Sequence, residues 1–104
     1  MAIVNWSDRA VKNLKTIKDY IAMDSAFYAK KFTKELIKTT DSQLKAFPNS
    51  GKKVEEFENS IFHHLRQLTF KSYRIVYEFE EAIDTVTIFA VIRSNPLDST
   101  TLED

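Results

Sequence analysis

At 104 residues and 12.1 kDa, with 43% hydrophobic and 29% charged residues but one Gly and two Pro, the chain has the make-up of one compact globule; disorder and low-complexity polymers are excluded. The absence of cysteine removes disulfide frameworks, thiol catalysis and Cys-ligated zinc. Fifteen basic and fifteen acidic residues cancel, which argues against non-specific nucleic-acid binding driven by net charge, although residues 1–50 carry +4 and residues 51–104 carry −4.

The opening run Ala2-Ile3-Val4-Asn5-Trp6 reads as a short strand that stops at Ser7, a helix N-cap. From there the apolar period changes to three and four: Val11, Leu14, Ile17 and Ile21 define an amphipathic helix that ends near Met23-Asp24. Ser25 caps a second helix whose stripe runs Ala29, Phe32, Leu36, Ile37, Thr40, Leu44 and Phe47, and Pro48 forces its end. Two helices joined by so short a connection must fold back as an antiparallel hairpin.

Asn49-Ser50-Gly51 is a turn signal, and beyond it the period falls to two. Strands are expected at 54–57, 63–70, 73–80 and 85–92, joined by short connections as an antiparallel meander. The fold class is therefore α+β: an N-terminal strand, a helical hairpin, and a meander packed on the helices. In the strand Tyr73–Glu80, residues Tyr73, Ile75, Tyr77 and Phe79 share the face that the helices must cover, which places Arg74, Val76, Glu78 and Glu80 on the other. One domain is expected over 1–96, with Asn95-Pro96 ending the last strand and a polar tail over 97–104.

Arg66, Arg74 and Arg93 fall on or at the end of three different strands, and convergence on one sheet face would make a phosphate-binding patch, extended by Lys71 and by His63 or His64. The alternative is that these arginines are solubilising charges paired with Glu78 and Glu80. Adjacent histidines on a strand point to opposite faces, so His63 and His64 cannot ligate one metal together; either one as an acid or base near Arg74 is the stronger use. A single glycine rules out Gly-rich phosphate loops and the hydrolase nucleophile elbow. No cofactor or metal is expected. No apolar run approaches the ~18 residues needed to span a bilayer, and the N-terminus lacks the basic and long apolar regions of a signal peptide. An intracellular protein that makes no use of a membrane is therefore expected.

The order strand, α-hairpin, Phe47-Pro48 with Gly51-Lys52, Arg66-x-Leu68, Tyr73-Arg74-Ile75-Val76-Tyr77-Glu78, Val86-x-Ile88-x-Ala90-Val91 and Arg93-Ser94-Asn95-Pro96 resembles the RelE/ParE superfamily of bacterial type II toxins. The resemblance covers residues 2 to about 96, and Tyr-Arg-Ile-Val-Tyr is its most specific element. It implies a toxin of the bacterial cytoplasm held inactive by a cognate antitoxin. RelE-like members cleave messenger RNA on the ribosome, whereas ParE-like members inhibit DNA gyrase. In the nuclease branch Arg74, Arg66 and Arg93 would be catalytic, with His63 or His64 as acid or base. After Arg93, however, the chain has neither Tyr nor His and offers only Asp98, Glu103 and Asp104. The long hairpin and the Arg-Ser-Asn-Pro ending look more like ParE, which makes gyrase the expected target; an mRNA endoribonuclease and a non-toxic, decayed binding module are the other readings.

Overall fold

The computed structural model describes residues 1–94. Strand β1 (Ile3–Trp6) leads into helices α1 (Asp8–Ala22) and α2 (Ala26–Ala46), followed by strands β2 (Lys52–Lys53), β3 (Arg66–Phe70), β4 (Tyr73–Glu80) and β5 (Thr85–Arg93). They form one five-stranded sheet in the order β1-β5-β4-β3-β2. Strands β2 to β5 are the expected antiparallel meander, and β1 lies parallel to β5 at the far edge. The helical hairpin covers one face.

Both helix starts follow from their caps. Ser7 Oγ accepts the Ala10 N–H at 3.1 Å, and Ser25 Oγ accepts the Tyr28 N–H at 3.0 Å, each satisfying a donor that the first helical turn leaves open. The Ser7 hydroxyl also donates to the Phe89 carbonyl at 3.1 Å and so ties the start of α1 to β5. Replacing Ser7 by Ala is expected to cost about 1–2 kcal/mol, read as a lower urea midpoint at unchanged m-value.

The core lies between hairpin and sheet, with Leu14, Ile17, Phe32, Leu36, Ile75, Tyr77, Val86 and Ile88 in one cluster. Two members of the expected stripes leave it. Val11 is 52% exposed and Ala10 is buried in its place, because the narrow approach of α1 to the sheet favours the smaller side chain; Phe47, at the C-cap of α2, is 67% exposed. The strand expected at 54–57 is corrected: pairing is confined to Lys52–Lys53, and Glu55–Phe57 is a 3₁₀ turn. Val54 is buried beside Leu65 and Val76 with Phe57 packed against them, and that three-residue spacing suits a helical turn rather than a pleat. The strand expected from His63 begins at Arg66, since turns closed by His63 N–H to Ser60 O and Leu65 N–H to Phe62 O occupy the preceding residues. The Asn95-Pro96 boundary and the 97–104 tail lie outside the described residues. No helix among the described residues is long and apolar enough to cross a membrane.

Candidate partner-binding face

Strand register assigns every β side chain to a face, because directly paired residues project to the same side. Arg74 pairs with Thr69 and Ile92, on the face turned away from the helices. Arg66 pairs with Tyr77, and Arg93 pairs with Tyr73; both therefore belong to the helix-covered side. The expected convergence of the three guanidiniums does not occur. Arg66 and Arg93 are also far from each other, since their β4 partners sit four residues apart, about 13 Å along the strand. Strand membership alone left the faces open; register decides them, and a one-residue offset moves a side chain through the sheet.

Each arginine has a local engagement. The Arg66 Nη1 donates to the Gly51 carbonyl at 2.8 Å. The Arg93 guanidinium carbon lies 5.8 Å from the Tyr20 ring centroid. Arg74 Nη1 donates to Glu56 Oε2 at 2.9 Å and to Gln67 Oε1 at 3.1 Å, while its buried Nε has no partner among the described residues. The Glu56 carboxyl is held below its ordinary pKa by its own backbone N–H first and by Arg74 second. An internal carboxylate thus neutralises Arg74, and pins the 3₁₀ turn over it.

The histidines split as well. His64 Nε2 lies 2.8 Å from Glu78 Oε2, at the edge of the open face, whereas His63 Nδ1 lies 3.0 Å from the Ser60 carbonyl in the preceding turn. Glu78, expected to pair with an arginine, is instead hydrogen-bonded to His64. Trp6, the last residue of β1, is half-buried and donates from Nε1 to Asp41 Oδ1 at 2.9 Å, linking β1 to α2.

Part of the open face is apolar. A groove of about 730 Å³ is lined by Phe57, Ile61, Phe62, Leu65, Val76 and Phe89, with Arg9, His64 and Glu78 among the polar residues beside them. A β-bulge builds half of it. Along β4 and β5, Val76 pairs with Ala90 but Tyr77 pairs with Ile88, so Phe89 is the unpaired extra residue and is turned into the groove. The Asn13 side chain accepts the Val91 N–H at 3.0 Å just past the bulge, and Ser7 holds the Phe89 carbonyl. This groove went unread in the sequence. Its trace was the buried spacing Val86, Ile88, Val91, two residues and then three, which no unbroken pleat produces.

A strand, a helical hairpin and an antiparallel meander closed by a parallel first strand define the fold of the small RelE/ParE toxins. The chain superposes on the chromosomal ParDE system of P. aeruginosa with a TM-score of 0.72 at 18% identity, covering 91% of this chain and 98% of that one. It superposes on the RelBE2 toxin–antitoxin complex of Mycobacterium tuberculosis at TM-score 0.65 and 16% identity, over 88% of this chain and 96% of the other. For the isolated E. coli RelE toxin the values are 0.55 and 13%, over 99% and 97%. A search of curated protein sequences finds no match. Residues 4–95 match the family described as the ParE toxin of the type II toxin–antitoxin system parDE. The chain belongs to that family of toxins.

Proposed function

We propose that this toxin arrests growth through DNA gyrase rather than by cutting messenger RNA, and that a cognate antitoxin neutralises it by folding a C-terminal segment across the open face of the sheet. The observation that carries the choice of target is the separation of the arginines. Cleavage of a phosphodiester needs positive charge gathered around the pentacovalent phosphate, and here Arg74 is separated by the sheet from Arg66 and Arg93, with Glu56 already bound to it. The match to the ParE family, and the ParDE structure among the relatives, support the same branch.

Purified toxin should inhibit gyrase supercoiling and leave translated messages uncut in primer extension. Arg74→Ala should retain growth arrest. If Arg74, with Arg66 and Arg93, were instead the catalytic cations of a nuclease, the same substitution would lower cleavage by ~100-fold or more, about 3 kcal/mol of transition-state stabilisation. Loss of growth arrest in a folded Arg74→Ala protein would overturn the gyrase reading.

The groove supports the antitoxin half of the proposal, since an apolar channel beside a sheet is what an amphipathic helix covers. The RelBE2 relative was solved as a toxin–antitoxin complex, which is consistent with such a partner. At a hundredfold excess over Kd the antitoxin should stabilise the toxin by about 2.7 kcal/mol, a rise in Tm of roughly 10–20 °C for a domain of this size. Phe89→Asp should remove most of that gain. An unshifted Tm with saturating cognate antitoxin would refute neutralisation by direct binding.

A further inference from the structure

A second apolar surface lies at the tip of the helical hairpin, away from the groove. Tyr20, Met23, Phe27 and Tyr28 fall within nine residues of sequence and are all exposed, Met23 at 82% and Phe27 at 79%. Water-facing side chains of this size at one end of two helices contribute nothing to the core, and clustered exposure of this kind marks a contact surface. Behind the patch lies the aromatic end of the core. Tyr28 packs against Phe32, whose ring lies 5.6 Å from both Phe70 and Tyr73, centroid to centroid. Beside it, a shallow recess of about 460 Å³ runs between α1 and the ends of β4 and β5, lined in part by Ile17, Tyr20, Tyr73 and Arg93.

The surface is cationic as well as apolar. Lys71 Nζ lies 5.5 Å from the Phe32 ring centroid and 5.6 Å from that of Phe70, and Arg93 lies over Tyr20. Neither cation is in an ion pair among the described residues. Lys71 holds its place through a left-handed backbone, φ 53°, in the tight β3–β4 turn. Along the hairpin itself Lys30, Lys31 and Lys34 are balanced by Asp19, Asp24 and Glu35, so the positive character of the tip comes from Lys71 and Arg93.

The geometry points to a docking site at this tip for an acidic segment of a partner protein other than the antitoxin, one that seats apolar side chains against Met23 and Phe27 while its carboxylates reach Lys71 and Arg93. Nucleic acid fits less well. Stacking of bases requires free aromatic faces, but Lys71 stands over Phe32 and Phe70 and Arg93 over Tyr20, and the outermost anchors include the aliphatic Met23. The proposal stands independently of the gyrase reading, since it concerns the chemistry that the tip accepts, and the antitoxin is assigned to the groove on the open face.

The test uses the full chain and two labelled helical peptides of about 15 residues, four turns long, with leucine and phenylalanine along one face and either glutamate or lysine on the remainder. The glutamate peptide should bind about tenfold more tightly than the lysine peptide at low salt, and the preference should shrink as salt rises. Combined Met23→Ala and Phe27→Ala should weaken it about tenfold or more. Combined Lys71→Glu and Arg93→Glu should reverse the preference. Phe62→Ala, in the open-face groove, and saturation with antitoxin should leave the affinity unchanged. Thermal melts establish that each variant is folded, and the charge reversal tests the surface without touching the hairpin. Equal binding of the two peptides, indifference to the tip substitutions, displacement by antitoxin, or tighter binding of a single-stranded RNA oligonucleotide would each overturn the proposal.

Discussion

Replacing Tyr77 by Ala is expected to remove about 4–6 kcal/mol of stability, most or all of what a domain of this size possesses. The ring is fully buried in the centre of the sheet. Its hydroxyl donates to the Pro48 carbonyl at 2.9 Å and accepts the Gly51 N–H at 2.9 Å, so one side chain satisfies two backbone groups of the connection between α2 and β2. Truncation leaves a cavity and orphans both groups. Tyr77→Phe separates the two effects: the packing stays, and the loss should fall to about 1–3 kcal/mol in urea titrations.

The same phenol gives the domain an alkaline limit. Burial raises the Tyr77 pKa above 10.0, opposed in part by the Gly51 N–H and by the charge of Arg66. A group whose folded pKa exceeds its unfolded one contributes fully below the unfolded value and loses that contribution as pH rises through the folded one. Stability should therefore fall as pH rises above 10, and this limb of the pH profile should flatten in Tyr77→Phe.

Gly51→Ala is expected to cost about 4 kcal/mol, although Gly51 has an ordinary negative φ and a side chain is conformationally permitted there. The obstacle is space. A Cβ at this position would lie 2.6 Å from the Tyr77 hydroxyl, 2.7 Å from its ring carbon Cε1 and 2.8 Å from the Gln67 backbone carbonyl. Neither neighbour yields easily, because the ring is enclosed and the carbonyl belongs to β3. Moving the ring would also break its two hydrogen bonds. In the double variant with Tyr77→Phe the closest contact disappears while two remain, so the combined loss should be smaller than the two single losses added. Additivity within ~0.5 kcal/mol would show that the two residues are not coupled.

These two residues also show how far the sequence could be read. The alternation Tyr73, Ile75, Tyr77, Phe79 identified the covered face of β4, and Ser7, Ser25 and Pro48 bounded the helices, because caps, prolines and pleats act over three or four residues and leave a local pattern. Gly51 was legible as a turn, but its closeness to Tyr77 joins positions 26 apart and has no local signature. The candidate site suffered from the same limit. Arg66, Arg74 and Arg93 were correctly assigned to strands, yet their faces depend on register, which strand assignment does not specify. The groove was hidden for two local reasons: the bulge at Phe89 interrupts the period of β5, and Val54 to Phe57 uses helical spacing where a strand was expected.

The parallel pairing of β1 with β5 joins Ile3 to Thr85 and Trp6 to Ile88, so the first strand of the chain waits for the last. A nascent chain emerging from the ribosome has no strand to pair with β1 until more than eighty residues have been made, and the closure of so long a loop is slow. The sheet therefore closes only once the last strand has been made, and completion of the fold is tied to the end of synthesis rather than to its beginning.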